Sequence, residues 1–204
     1  LENLNQQGTW WTENRAADAF LHGTYQDGTA GDDDITGTVE EDVLLGGDGD
    51  DHIFGGDGDD AIHGGSGKNI LDGGAGNDIL VAGSVDDQID GGQGIDTMRI
   101  VSDIQTLDFS VNRPASIEIL DTRNNAVTQT TLHTADVFAF NNTHSVRVWA
   151  DSVDEFVLHG FAFDRSTVDG DLVELTYAGL EQSETVEITI VAGQSFEPDI
   201  ILAA

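Results

Sequence analysis

The residues best suited to chemistry in this 204-residue chain are carboxylates set at a fixed interval. Asp33, Asp42, Asp51, Asp60, Asn69, Asp78, Asp87 and Asp96 stand nine residues apart, with asparagine replacing aspartate once. Glycines precede them at constant offsets: Gly46 and Gly49 before Asp51, Gly55 and Gly58 before Asp60, Gly64 before Asn69, Gly73 and Gly76 before Asp78, Gly91 and Gly94 before Asp96. A carboxylate flanked by bare backbone carbonyls is an oxygen-donor set for a hard cation, and calcium takes six to eight such oxygens. All these residues are therefore candidate calcium ligands. Thiolate sites are excluded, because the chain has no cysteine.

The elements that must position these groups follow from the same period. Eight nonapeptides run without a gap from Gly28 to Arg99, the clearest being GGDGDDHIF at Gly46 to Phe54 and GGDGDDAIH at Gly55 to His63. The aspartates occupy position six. Position eight is Ile35, Leu44, Ile53, Ile62, Leu71, Leu80, Ile89 and Met98. Glycines at positions one, two and four are expected to turn tightly with positive φ. The residues after them are expected to form a short strand with position eight pointing inward. Two nonapeptides then make one coil, and two parallel sheets sandwich the apolar stack. One edge collects Asp33, Asp51, Asn69 and Asp87, the other Asp42, Asp60, Asp78 and Asp96, giving up to six sites between coils. With 18 acidic and 2 basic residues the repeats carry a net charge of -16, of which six divalent ions would cancel 12.

Competing readings of the same residues are weaker. A flexible Gly/Asp linker has no reason to keep an apolar residue at every position eight. An EF-hand fails on ligand order at Asp48, Asp50 and His52 and has no glutamate at the required distance. Gly64 to Lys68 superficially suggests a phosphate loop, but Asn69 stands where Ser or Thr is needed. There is no H-E-x-x-H zinc motif and no G-x-S-x-G elbow, so the chain is expected not to be an enzyme. A formal net charge of -32 disfavours nucleic acid and anionic membranes as partners, and membrane insertion is not expected, since no apolar run approaches a span. His22, His52, His63, His133, His144 and His159 are scattered. Asp151, Asp154 and Glu155 read as a solvated acidic turn, or else as an added calcium site.

Residues 1–27 read as an N-terminal cap, with a helix at Glu13 to Leu21 and with Trp10 and Trp11 covering the open apolar end. The first thirty residues lack the layout of an amino-terminal signal peptide. Residues 100–194 read as a compact β-rich domain, with strands at Thr106–Val111, Ser116–Leu120, Ser145–Ala150, Glu155–His159, Leu172–Tyr177 and Thr185–Val191 and a short helix at Thr134–Phe140. Outward positions of the even-numbered repeats are largely apolar (Val43, Ala61, Ile79, Leu45, Val81), so that face is expected to be buried. The other carries Asp34, His52, Gln88, Asp72 and Asp90 and is expected to be wetter.

The repeats fit G-G-x-G-x-D-x-U-x, with U apolar, and the chain resembles the RTX (repeats-in-toxin) family over Gly28 to Arg99. The fit departs at Glu40, at Asn69, and at Ala82 and Val85. The resemblance implies an all-β chain: a calcium-binding parallel β-roll at residues 28–99 followed by a compact β-rich domain, holding several calcium ions, up to about six. SIEILDT at Ser116 to Thr122, TADVFAF at Thr134 to Phe140 and SVRVWADSVDEFVLHGF at Ser145 to Phe161 are similar to the β domain near the carboxyl end of large bacterial surface adhesins. That likeness implies export by type I secretion machinery, with residues 195–204 similar to its uncleaved carboxy-terminal signal. It points to a non-catalytic, calcium-dependent structural and secretion module of an adhesin, secreted or held at the bacterial surface. Two other functions stay open: a sugar- or peptide-binding adhesin domain, through the final β domain or Trp149, and the RTX module of a secreted enzyme.

Overall fold

The structure, a computed structural model, describes residues 23–84, 86–101, 106–109, 113–123, 129–133, 145–150, 154–159, 161–169, 172–179, 187–193 and 199–203. The expected helices at 13–21 and 134–140, and Trp10 and Trp11, lie outside these. No helix occurs among the described residues. The chain divides into two units, residues 1–96 and 97–204.

In the first unit the nonapeptide period becomes a parallel coil. Its strands are β1 (Tyr25–Asp27), β2 (Asp34–Thr36), β3 (Val43–Asp48), β4 (His52–Asp57), β5 (Ala61–Ser66), β6 (Ile70–Ala75), β7 (Ile79–Ala82) and β8 (Gln88–Gln93). Odd-numbered strands pair in parallel with one another, as do even-numbered ones. The registers set Leu44 opposite Ile62, Ile62 opposite Leu80, Ile53 opposite Leu71 and Leu71 opposite Ile89. Each step is therefore 18 residues, two nonapeptides to a coil. Position eight is the core: Leu44, Ile53, Ile62 and Leu80 are wholly buried and Leu71 nearly so. Each such side chain contributes about 1.5–3 kcal/mol by leaving water.

Two details depart from the expectation. Glycines at positions two and four take positive φ, as at Gly47 (108°) and Gly49 (123°), except Gly31 and Gly83, but those at position one do not. Strands also run longer than the three residues after the turn. β3 continues through Gly46 and Gly47, because neighbouring coils there meet glycine against glycine, Gly47 opposite Gly65, with no side chain to hold the backbones apart. On the outward face of the odd-numbered strands Val43, Ala61 and Val81 are buried, as that face is expected to be. On the other face Phe54 and Ile70 are exposed, at 39% and 42%.

The second unit contains β9 (Thr97–Ile100), β10 (Thr106–Asp108), β11 (Ile119–Asp121), β12 (Gln129–His133), β13 (Ser145–Trp149), β14 (Glu155–His159), β15 (Phe161–Asp169), β16 (Leu172–Gly179), β17 (Glu187–Gly193) and β18 (Asp199–Ala203). It too is built from parallel ladders. β9, β11, β13 and β17 pair in succession, as do β10, β12, β14 and β18. β15 and β16 form an antiparallel hairpin, with β16 also against β17. Alternation explains the packing: along Ser145–Trp149 the two valines, Val146 and Val148, are fully buried while Ser145 and Arg147 are exposed. β12, β15 and β18 had no expected counterpart. The residues of β18 were read as part of a secretion signal; their backbone pairs with β14.

Candidate metal centre

The 18-residue step places the position-six side chains one above another on two edges. From Asp51 to Asp96 each is tied to the one 18 residues before it by its own Oδ1, a carboxylate oxygen except in Asn69. On one edge the backbone N–H groups of Asp33, Asp51 and Asn69 donate to Oδ1 of Asp51, Asn69 and Asp87 at 2.9, 3.0 and 2.9 Å. On the other those of Asp42, Asp60 and Asp78 donate to Oδ1 of Asp60, Asp78 and Asp96 at 2.8, 2.7 and 2.8 Å. Apart from half-buried Asp33 these side chains are buried, Asp78 and Asp96 completely and Asp60 to within 1%. Buried carboxylates are held away from their ionised form. Desolvation pushes Asp60 up to about 7 and Asp78 up to about 6 from the usual 3.8, opposed by the N–H bonds from Asp42 and Asp60. Asp51 and Asp87 are raised for the same first reason.

The second carboxylate oxygen separates the repeats into two kinds. In Asp51, Asp60 and Asp78, Oδ2 is buried without a hydrogen-bond partner. Burying such an atom unpaired costs about 1–3 kcal/mol, more for a charge, a cost that a cation bound beside it would offset. A Cβ placed on Gly46 would lie under 3.0 Å from both Asp51 Oδ2 and the carbonyl oxygen of Gly64. The same cradle recurs at Gly55, between Asp60 Oδ2 and Gly73 O, and at Gly73, between Asp78 Oδ2 and Gly91 O. One carboxylate and a carbonyl from the next coil thus converge where a side chain is missing, and that mixed oxygen set suits calcium.

The other kind is closed by protein. Asp33 Oδ2 accepts the N–H and hydroxyl of Thr29 at 2.6 and 2.9 Å, and Asp42 Oδ2 accepts the N–H of Thr38. Asp87 Oδ2 accepts the N–H groups of Gly83 and Ser84 at 2.9 and 3.0 Å. The cue was present in the opening pair of each repeat. Repeats opening Gly-Gly leave Oδ2 open at Asp51, Asp60 and Asp78, whereas Gly-Thr at residues 28–29 and 37–38, and Ala-Gly at 82–83, fold back on it. Of the other predicted glycines, Gly49, Gly58, Gly76 and Gly94 shape the turns through positive φ, and Gly64 and Gly91 lend carbonyls.

A second ladder, at position five, was missed. Asp50 and Lys68 N–H groups donate to Oδ1 of Asp32 and Asp50, and those of Asn77 and Ile95 to Oδ1 of Asp59 and Asn77. Among the described residues no group of three His, Cys, Asp or Glu side chains gathers around one point. His22 and His144 lie outside them.

Polar contacts in the second unit were also missed. Asp121 is buried and receives Arg99 through Nε and a terminal nitrogen, both at 3.1 Å, and Arg123 at 2.8 and 3.0 Å. The Arg123 guanidinium lies 4.5 Å from the ring centre of Trp149. Asp154, expected in a solvated turn, is buried instead and accepts the Thr122 hydroxyl at 2.7 Å; Asp151 lies outside the described residues.

Comparison with known proteins identifies the repeats. Residues 27–62 and 63–98 match the family model of the RTX calcium-binding nonapeptide repeat, four copies each. Repeats of this family bind calcium ions, and the matched residues are those that build the parallel roll. No curated protein matches the chain. Among solved structures, the chain is similar to the extracellular lipase LipA from Serratia marcescens at 17% identity and TM-score 0.36, with 88% of this chain and 40% of the lipase chain covered. It is also similar to the AlgE6R3 subunit of the Azotobacter vinelandii mannuronan C5-epimerase at 18% identity and TM-score 0.25, covering 85% and 80%. The chain thus spans less than half the length of the lipase chain.

Proposed function

We propose that this chain, whose residues 27–98 are calcium-binding RTX nonapeptide repeats, is a non-catalytic structural and secretion module belonging to the carboxy-terminal end of an exported bacterial adhesin. The observation that carries the reading is the set of three cradles, in which Asp51, Asp60 and Asp78 each bury an unpaired oxygen beside a carbonyl of the following coil. Calcium bound there would supply positive charge that links neighbouring coils. The chain itself supplies the rest: Oδ1 of each aspartate fixes the coil before it, Oδ2 faces the cradle, and position-one glycines leave room. At low intracellular calcium the acidic repeats lack that charge and their self-repulsion favours an extended chain, suited to export. In roughly millimolar extracellular calcium, weak sites fill. Each site at ten times its dissociation constant contributes about 1.4 kcal/mol, so a few together reach the scale of domain stability.

The test is a calcium titration of the chelator-treated full chain followed by circular dichroism. We expect a cooperative gain of β signal. A spectrum unchanged from chelator to several millimolar calcium would overturn the reading.

A further inference from the structure

One rung of the roll departs from the three cradles at the atom turned toward the position-one glycine. At Asn69 the side-chain oxygen accepts the buried N–H of Asp51 at 3.0 Å, which fixes the amide so that Nδ2 faces the opposite way. That nitrogen donates to Asp87 Oδ1 at 3.2 Å. It also stands 2.7 Å from the place where a Cβ on Gly64 would lie, where the equivalent cradles present a carboxylate oxygen. An N–H directed into that space repels a cation. The facing carboxylate is saturated: Asp87 takes the Asn69 N–H and amide on Oδ1 and the Gly83 and Ser84 N–H groups on Oδ2. Beside it Lys68 Nζ meets Asp86 Oδ2 at 3.0 Å, so the rung carries its own cation.

We propose that the Asn69–Asp87 rung takes no calcium and acts as a metal-independent clamp joining β6 to β8, leaving calcium to the cradles at Asp51, Asp60 and Asp78. This rests on the calcium-binding reading above. The rung's bonds persist when calcium is withdrawn, so β6 and β8 are the last strands of the roll to open and the first to pair.

Two measurements on the full chain test it: calcium stoichiometry by titration calorimetry, and amide hydrogen exchange as calcium is withdrawn stepwise. Asp78→Asn should lower the stoichiometry by one ion, and Asp87→Asn should leave it unchanged. The amides of Leu71 and Ile89 should keep protection at calcium levels where Ile53 has lost it, and Asn69→Ala should abolish that lead without changing the stoichiometry. If Asn69→Ala does not fold, Asp87→Asn, which keeps the side-chain shape, carries the stoichiometric test alone. Loss of an ion in Asp87→Asn, or Leu71 and Ile89 opening together with Ile53, overturns the clamp while leaving the calcium-folded module intact. A wild-type chain that takes up no calcium overturns the parent reading as well.

Discussion

A single aspartate in the roll does two jobs with its two oxygens, and their conflict sets how the residue responds to pH. Oδ1 joins coils through a backbone N–H, while buried Oδ2 favours a proton whenever no cation is near. Asp60 and Asp78, raised to about 7 and 6 from 3.8, bind protons more tightly folded than unfolded. Without calcium their protonation therefore stabilises the roll at low pH, and that contribution falls away as pH climbs from about 4 through 7. Calcium needs the ionised form, so binding displaces protons and weakens on acidification. In chelator, β-type circular dichroism should be greater at pH 5 than at pH 8; with calcium the midpoint concentration should rise as pH drops from 8 to 6, by up to about tenfold per pH unit for each proton displaced. A calcium-free signal flat over that range would refute the account. Asp121 gives a second residue-scale prediction. Removing its bonds to Arg99 and Arg123 by Asp121→Ala should cost about 2 kcal/mol in denaturant unfolding, whereas Lys68→Met, which breaks an exposed pair, should cost under about 1 kcal/mol.

At the scale of elements, the legible parts of the sequence were those with a period. A side chain repeating every nine residues can be assigned to a coil, an edge and a face by counting, so Leu44, Ile62 and Asp60 could be placed from spacing alone. The second unit has no such ruler. Its steps differ, from Thr97 to Ile119, Ile119 to Arg147 and Ser145 to Glu187, because loops and a hairpin of varied length intervene. Alternation within Ser145–Trp149 revealed a strand but not its partner. Nor did local sequence show that Arg99, Asp121 and Trp149 would stand side by side. Within the roll, the closed state of Asp33 and Asp42 depended on threonine N–H groups turning back, which a column of aspartates does not display. The face of the odd-numbered strands was legible, and its burial has a consequence. Ile79→Asp with Val81→Asp should lower the calcium-bound melting temperature by more than about 8 °C, since two charges would replace apolar contacts, while Gln88→Asp on the exposed face should shift it by no more than a degree or two. Equal shifts would show that the face is not packed.

For the whole molecule, the governing quantity is a net charge of -32 on 204 residues. Two kinds of cation could relieve it, and they act differently. Monovalent salt screens charge at a distance, with a Debye length of about 3 Å at 1 M, but does not enter cradles built from a buried carboxylate and a carbonyl. Magnesium carries the right charge yet demands near-ideal octahedral geometry at about 2.0–2.1 Å and gives up water reluctantly, whereas calcium accepts irregular oxygen sets at 2.3–2.6 Å. Compaction should therefore follow ion identity rather than ionic strength. In chelator, small-angle scattering should show a chain moving toward the dimension of an unfolded polymer of this length, about 49 Å, and calcium should return it toward the compact range, about 17 Å for a globular chain. Sodium chloride at 0.5 M should shrink the chelated chain only partly, and magnesium at the calcium concentration should fall well short of calcium. If magnesium or salt compacts the chain as fully as calcium does, the roll is responding to general screening, and the cradles at Asp51, Asp60 and Asp78 do not govern its folding.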